Sequence, residues 1–116
     1  MRAPGRGTRR GGAATLAVCA LALAATAASA AATLPVSQKR RTFEPREATL
    51  ARGDTLLIVN DDGELLHHAY VSSPAFSFDI GEQEAGRSVP VVFPVAGSFD
   101  VLCRIHPRML LRVTVR

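Results

Sequence analysis

The last third of the chain alternates apolar and polar residues with a period of two. Val89, Val91, Phe93 and Val95 share one parity, Phe99, Val101 and Cys103 a second, and Met109, Leu111, Val113 and Val115 a third. Side chains of an extended strand point to opposite sides in turn, so this parity predicts three half-buried strands, with a turn at Ala96-Gly97. Upstream, Thr55 to Val59 is a short continuous apolar run between the turn signals Arg52-Gly53-Asp54 and Asn60-Asp61-Asp62-Gly63, which predicts a buried strand. His68 to Ser72 reads as another strand, stopped by Ser73-Pro74, and Phe76 to Ile80 alternates as a half-buried one. Gly81 to Arg87 is an acidic, glycine-punctuated turn. Phe43 to Leu50 carries Pro45 and several charges, which suits an edge strand or a loop. Ala31 to Lys39 reads as a lead into the domain, and Lys39-Arg40-Arg41 as a solvated charge run at a strand edge. With seven or eight short strands, frequent turns and no amphipathic helix, the pattern predicts an all-β, Greek-key β-sandwich.

The N-terminus obeys a different pattern. Arg2, Arg6, Arg9 and Arg10 precede a small-residue apolar stretch from Ala13 to Ala25, and Ala28-Ser29-Ala30 matches the A-x-A cleavage signature of an export signal. The stretch is short and alanine-rich for a membrane span. Residues 1–30 are therefore read as a cleaved signal peptide and residues 31–116 as the mature domain, periplasmic or secreted. Cleavage changes two counts that matter. Four of the fourteen basic residues go and all ten acidic ones stay, so the mature chain carries ten of each. The nucleic-acid reading of a basic whole chain then loses its footing. Cys19 goes as well, leaving Cys103 alone, with no intramolecular disulfide to make. A single thiol in an oxidising compartment calls for burial or ligation. With no Trp, one Tyr and five Phe, the core must be mainly aliphatic.

Candidate chemistry gathers between the last two predicted strands, in Cys103-Arg104-Ile105-His106-Pro107-Arg108-Met109. A thiolate, an imidazole and a thioether stand three residues apart. Parity puts Cys103 at the inner end of one strand and Met109 at the inner start of the next, with His106 at the crown of the loop. The only other histidines are His67 and His68. Two imidazoles, a thiolate and a weak thioether are the ligand set of a copper electron-transfer site. Taken singly, each residue has a plainer explanation: buried Cys and Met are ordinary core residues, and exposed histidines are common on loops. Together, in an exported chain, they favour a metal site. No Gly-rich phosphate loop, G-x-S-x-G or H-E-x-x-H signature is present. The paired carboxylates Asp61-Asp62 and Glu82/Glu84 read as solvated turns.

Cys103-x-x-His106-Pro107-x-Met109, with Gly97-Ser98-Phe99-Asp100-Val101-Leu102 before it, resembles the ligand loop of the cupredoxins. The two-residue gap between His106 and Met109 looks most like amicyanin and the amicyanin-like proteins. Asn60 to His67 resembles the Asn-to-His loop of the same family, and the resemblance covers roughly residues 36 to 116. It implies one type 1 copper held by His67, Cys103, His106 and Met109 and single-electron transfer; four ligands would leave no open position for a substrate, so catalysis is not expected, and the chain is read as a monomer. The implied partners are periplasmic redox proteins such as a c-type cytochrome or a quinoprotein dehydrogenase, reached through His106-Pro107 and an apolar surround of Leu65, Leu66 and Leu110. Aligning on the family pattern makes His67 the first imidazole, and Ala69 and Val71 then point inward with it; His68 is the alternative. Two departures stand out. His68 occupies the position where the family has an Asn that ties two loops together, and Arg104 follows the cysteine where a small hydroxyl residue is usual. The competing readings are a copper carrier or storage protein and a metal-free interaction module.

Overall fold

A computed structural model describes residues 1–25 and 29–116. Ala28 of the cleavage signature lies outside the described residues. Among those described, none before Thr33 belongs to a strand or helix, and no helix is long and apolar enough to cross a membrane.

Among the described residues, nine strands form two sheets that pack face to face. They are β1 (Thr33–Lys39), β2 (Thr42–Glu44), β3 (Glu47–Leu50), β4 (Thr55–Asn60), β5 (Ala69–Val71), β6 (Phe78–Asp79), β7 (Ser88–Val92), β8 (Gly97–Cys103) and β9 (Leu110–Val115). One sheet runs β2-β1-β4-β7 and the other β3-β9-β8-β5-β6. Both are mixed, because β1 lies parallel to β4 and β3 parallel to β9 while the remaining pairs are antiparallel. The all-β sandwich expected from the alternation is therefore present, with one or two more strands than the pattern marked.

The extra strands have physical reasons. β1 forms where the pattern reads as a lead, because its inward face runs Leu34, Val36, Gln38, and a buried glutamine interrupts the apolar signal. Phe43 to Leu50 splits at Pro45 into β2, which pairs with β1, and β3, which pairs with β9. That segment crosses from one sheet to the other, so its two halves face different neighbours. Phe76 to Ile80 is strand only at Phe78–Asp79.

The three parities hold residue by residue. Phe99, Val101 and Cys103 are buried from β8, and Met109, Leu111, Val113 and Val115 from β9 and the residue before it. Phe93, fully buried, meets the rings of Phe76, Phe78 and Phe99 at centroid separations of 5.2, 5.8 and 6.0 Å. Asp54 clamps the turn before β4: its two carboxylate oxygens accept the N–H groups of Ala32 and Ala51, each at 2.8 Å. Those N–H groups hold its carboxyl below the usual carboxylate range.

The β1–β2 hairpin is the strained element. Lys39 pairs with Thr42, leaving a two-residue loop of Arg40 and Arg41 with φ of 53° and 58°. Tight hairpins of this kind favour Asn-Gly, because both central residues take left-handed backbone. Each L-residue with a Cβ there costs roughly 1–2 kcal/mol. Two arginines occupy the position nonetheless.

Candidate metal centre

β8 delivers Cys103 at its inner end, and the chain returns after a tight loop, Leu102 pairing with Leu110 across it. The Met109 N–H donates to the His106 carbonyl at 3.0 Å and closes that loop, with the Met109 side chain buried beneath. The other histidine arrives from the segment before β5. Two backbone hydrogen bonds hold it there, His67 N–H to Gln83 O at 3.1 Å and Gln83 N–H to His67 O at 2.7 Å. Packing the sheets together then brings one ligand atom each of His67, Cys103 and His106 within 4.8 Å of one another. Cys103 Sγ stands 3.7 Å from His106 Nδ1, and the two imidazole rings lie 5.0 Å apart, tilted by 59°. It is His67 that joins the cluster. His68, one residue on, has the opposite parity and turns away.

The His67 ring is fully buried. Its Nε2 bonds Asp62 Oδ2, while the second carboxylate oxygen accepts the Arg40 N–H at 3.0 Å. The Asp62 N–H in turn donates to Asn60 Oδ1 at 3.0 Å. Burial raises the Asp62 carboxyl, but the Arg40 N–H and the contact with His67 outweigh it and leave it below its ordinary value. In a neutral His67 ring the carboxylate favours hydrogen on Nε2, the tautomer whose Nδ1 lone pair could bind a metal. Nδ1 has no hydrogen-bond partner among the described residues. Buried polar atoms are rarely left this way without a reason, and a metal ion is one. Burial, the nearby His67 and the Arg41 guanidinium hold His106 below the usual histidine value, against a smaller opposing pull from Asp62. The shift favours the uncharged imidazole, the form that binds a metal. Two imidazoles and a cysteine sulfur, with the buried Met109 thioether at the end of the same loop, form a donor set that suits copper.

Asp62 corrects the expectation that the Asp61-Asp62 pair is a solvated turn. Asp61 does fit it, being exposed and bonded to Ser37 Oγ, but the Asp62 side chain is only 10% exposed and belongs to the site. Behind it lies a buried polar cluster that hydrophobic patterning could not reveal. Gln83 accepts from Gln38 Nε2 at 2.5 Å and donates to Ile58 O and Arg87 O at 2.9 and 2.6 Å. Asn60 Nδ2 donates to Leu65 O and Gln83 O at 2.9 and 2.8 Å, binding the two loops that flank His67. A polar residue at an inward position of a strand, as at Gln38 and Asn60, was the available signal.

The two departures at His68 and Arg104 answer each other. His68 Nε2 bonds one oxygen of Asp79, and Arg104 Nε donates to the other at 3.1 Å. The Arg104 N–H donates to the His68 carbonyl at 3.0 Å, and its guanidinium lies 3.9 Å from the Tyr70 ring centroid. The Gly81 N–H, His68 and Arg104 together hold Asp79 at a pKa of about 2. Loops that an Asn side chain would otherwise join are joined here by an ionic bridge. Leu66, Ile105 and Leu110 are 40, 42 and 40% exposed, Leu65 is half-buried, and Ile105 borders the depression that holds the partly exposed His106.

No protein-family model and no curated protein matches the sequence. Solved structures do. A copper-containing nitrite reductase from Thermus scotoductus SA-01 matches with a TM-score of 0.67 at 23% identity, over 72% of this chain and 22% of that one. This chain thus spans about a fifth of that enzyme's length. A reduced amicyanin variant matches with a TM-score of 0.67 at 21% identity, over 72% of this chain and 82% of that one. A second amicyanin variant, in a Cu(I) form at pH 4, gives 0.65 at 22%, over 79% and 88%. The protein has the cupredoxin β-sandwich fold.

Proposed function

We propose that the protein is an exported carrier of single electrons with one type 1 copper, held by His67, Cys103, His106 and Met109. The observation that carries this reading is the buried Nδ1 of His67, without a hydrogen-bond partner among the described residues, in a cluster with a buried cysteine and a second imidazole. Bound copper would supply the one-electron couple. The protein's own residues supply the rest. Asp62 fixes the His67 ring and its tautomer, and through Arg40 it fixes the β1–β2 turn to the same point. β8 and the return into β9 hold Cys103 and Met109 in packed core, so the donors hardly rearrange when the charge changes. His106 is partly exposed in a depression with Ile105 and Pro107, and gives the electron a short way out.

Four protein donors leave no position for a substrate, so the chain is proposed as a carrier and not an enzyme, although the fold also occurs in a nitrite reductase. Residues 1–30 are proposed as the export signal and residues 31–116 as a monomeric periplasmic domain. Its partners are then c-type cytochromes or a quinoprotein dehydrogenase, met through a small transient interface.

The test is a copper(II) titration of the chain beginning at Ala31, read by visible absorption and electron paramagnetic resonance. The expected result is an intense blue band that saturates at one copper per chain and vanishes in Cys103→Ser. Pale, weakly held copper with no thiolate band would overturn the reading. A blue protein without a fast, reversible one-electron couple would instead be a copper carrier.

A further inference from the structure

Beside the candidate copper site lies a groove of about 500 Å³ whose walls include Arg41, Arg46, Arg108 and Arg112, with Glu47 as the one carboxylate and Met109 at its floor. Arg112 is committed to Asp100 at 3.2 Å. Arg41, Arg46 and Arg108 make no ion pair among the described residues. Arg41 and Arg108 also border the adjoining depression around Ile105, His106 and Pro107, so free guanidinium groups run from the groove to the exposed imidazole edge. This concentration is not a by-product of net charge, since the domain from Ala31 onward carries ten basic and ten acidic residues. Nor is it cheap to keep, because Arg40 and Arg41 hold left-handed backbone where Asn-Gly would relax. Strain retained at a surface tip points to a role for the side chains there.

We propose that Arg41, Arg46 and Arg108 form an electropositive docking face that steers the acidic surface of a redox protein onto the His106 edge. The proposal rests on the electron-carrier reading and adds the charge of the partner to it. The geometry favours a protein surface over a small anion. All three free guanidinium groups line an open groove and two of them also border a second depression beyond it, and no buried donor converges on one point. Planar guanidinium forks suit the paired oxygens of carboxylates. Opposite charge across a small interface raises the encounter rate by roughly 10- to 1,000-fold at low salt, and screening removes the gain.

The probes are a basic c-type cytochrome and its succinylated derivative, which keeps the haem and reverses the surface charge. The first readout needs no copper: amide shifts of the isotope-labelled apo chain on titration. Shifts at residues 40–47 and 104–112 with the acidic derivative alone, lost in R41E/R46E/R108E, are expected. The second readout is the passage of one electron from the reduced, copper-loaded protein to one ferric haem, with no bond made or broken. The acidic derivative should react at least tenfold faster at low ionic strength, and the triple variant should invert that order. Rates equal for both cytochromes, or indifferent to salt, would overturn the proposal. So would loss of the preference when phosphate replaces chloride at constant ionic strength, which would assign the groove to a small anion. Reduction by neutral hydroquinone, unchanged in the triple variant, shows that the variant is folded and loaded. If no blue site forms at all, the carrier reading falls, and the apo titration still judges the docking face.

Discussion

Asp62→Asn separates the role of the buried carboxylate from its shape. Asp62 presents two oxygens to two N–H donors, Nε2 of His67 and the backbone of Arg40. Asparagine has the same outline with a single acceptor oxygen. If that oxygen stays on His67, the Arg40 N–H faces an NH2 group and the strained hairpin loses its tie. If it turns to Arg40, the amide NH2 faces Nε2 and favours hydrogen on Nδ1, where the metal needs a lone pair. One donor is left unsatisfied in either case, which costs about 1–3 kcal/mol. For the metal, loss of such an outer partner weakens binding by roughly 10- to 100-fold, or about 1.4–2.7 kcal/mol. The assay is competition for copper(II) against a chromophoric chelator, alongside urea unfolding of the apo chain. Asp61→Asn, next door but solvent-exposed, is the control and should stay within about threefold. Affinity of D62N within twofold of the parent, with no drop in apo stability, would refute the reasoning.

Three further outcomes are expected. R40N/R41G should relieve the left-handed strain and stabilise the apo domain by roughly 1 kcal/mol, a rise in Tm of about 4–8 °C, because the Arg40 tie to Asp62 is a backbone bond and survives; a lower Tm would show the strain argument to be wrong. Phe93→Ala, which empties the centre of the aromatic cluster, should cost about 3–5 kcal/mol in urea unfolding, and a loss under 1 kcal/mol would mean that the cluster collapses around the gap. Asp79 has a folded pKa of about 2, below its unfolded value near 4. Its contribution is therefore complete above about pH 4 and is lost as pH falls towards 2. Stability of D79N should change less than the parent's across that window, and identical slopes would count against the His68–Asp79–Arg104 bridge.

The β8–β9 half of the fold was legible because one face of each strand is all apolar, and parity alone put Cys103 and Met109 inward. The same parity, through Ala69 and Val71, favoured His67 over His68 but left both open, and the folded cluster holds His67. What hid was whatever breaks alternation for a reason lying elsewhere in the chain. Gln38 makes β1 look like a lead, yet its partner Gln83 is 45 residues away. Asp62 looks like half of a solvated turn until His67 folds over it. The Arg40-Arg41 run looks like a charged edge, and nothing local says that its backbone is left-handed. Hydrophobic periodicity reports which face is buried; it says nothing of polar groups buried as pairs, since each is explained only by its distant partner.

Those hidden pairs also show how the chain departs from the cupredoxin-like pattern while keeping the His67–Cys103–His106 cluster. An Asn after the first histidine would join two loops through one side chain. Here His68 and Arg104 meet on Asp79, with the Arg104 guanidinium laid on Tyr70, so the join is moved outward and made ionic. His67, meanwhile, is oriented from the opposite side by Asp62, which is itself fixed by Asn60 and Arg40. The two histidines thus have separate carboxylates and opposite parities, and neither can replace the other. A swap to His67→Ala would leave His68 on the wrong face of the strand, bound to Asp79. The physical specificity of the cluster lies in that parity, and in the two aspartates that hold each imidazole to its own side.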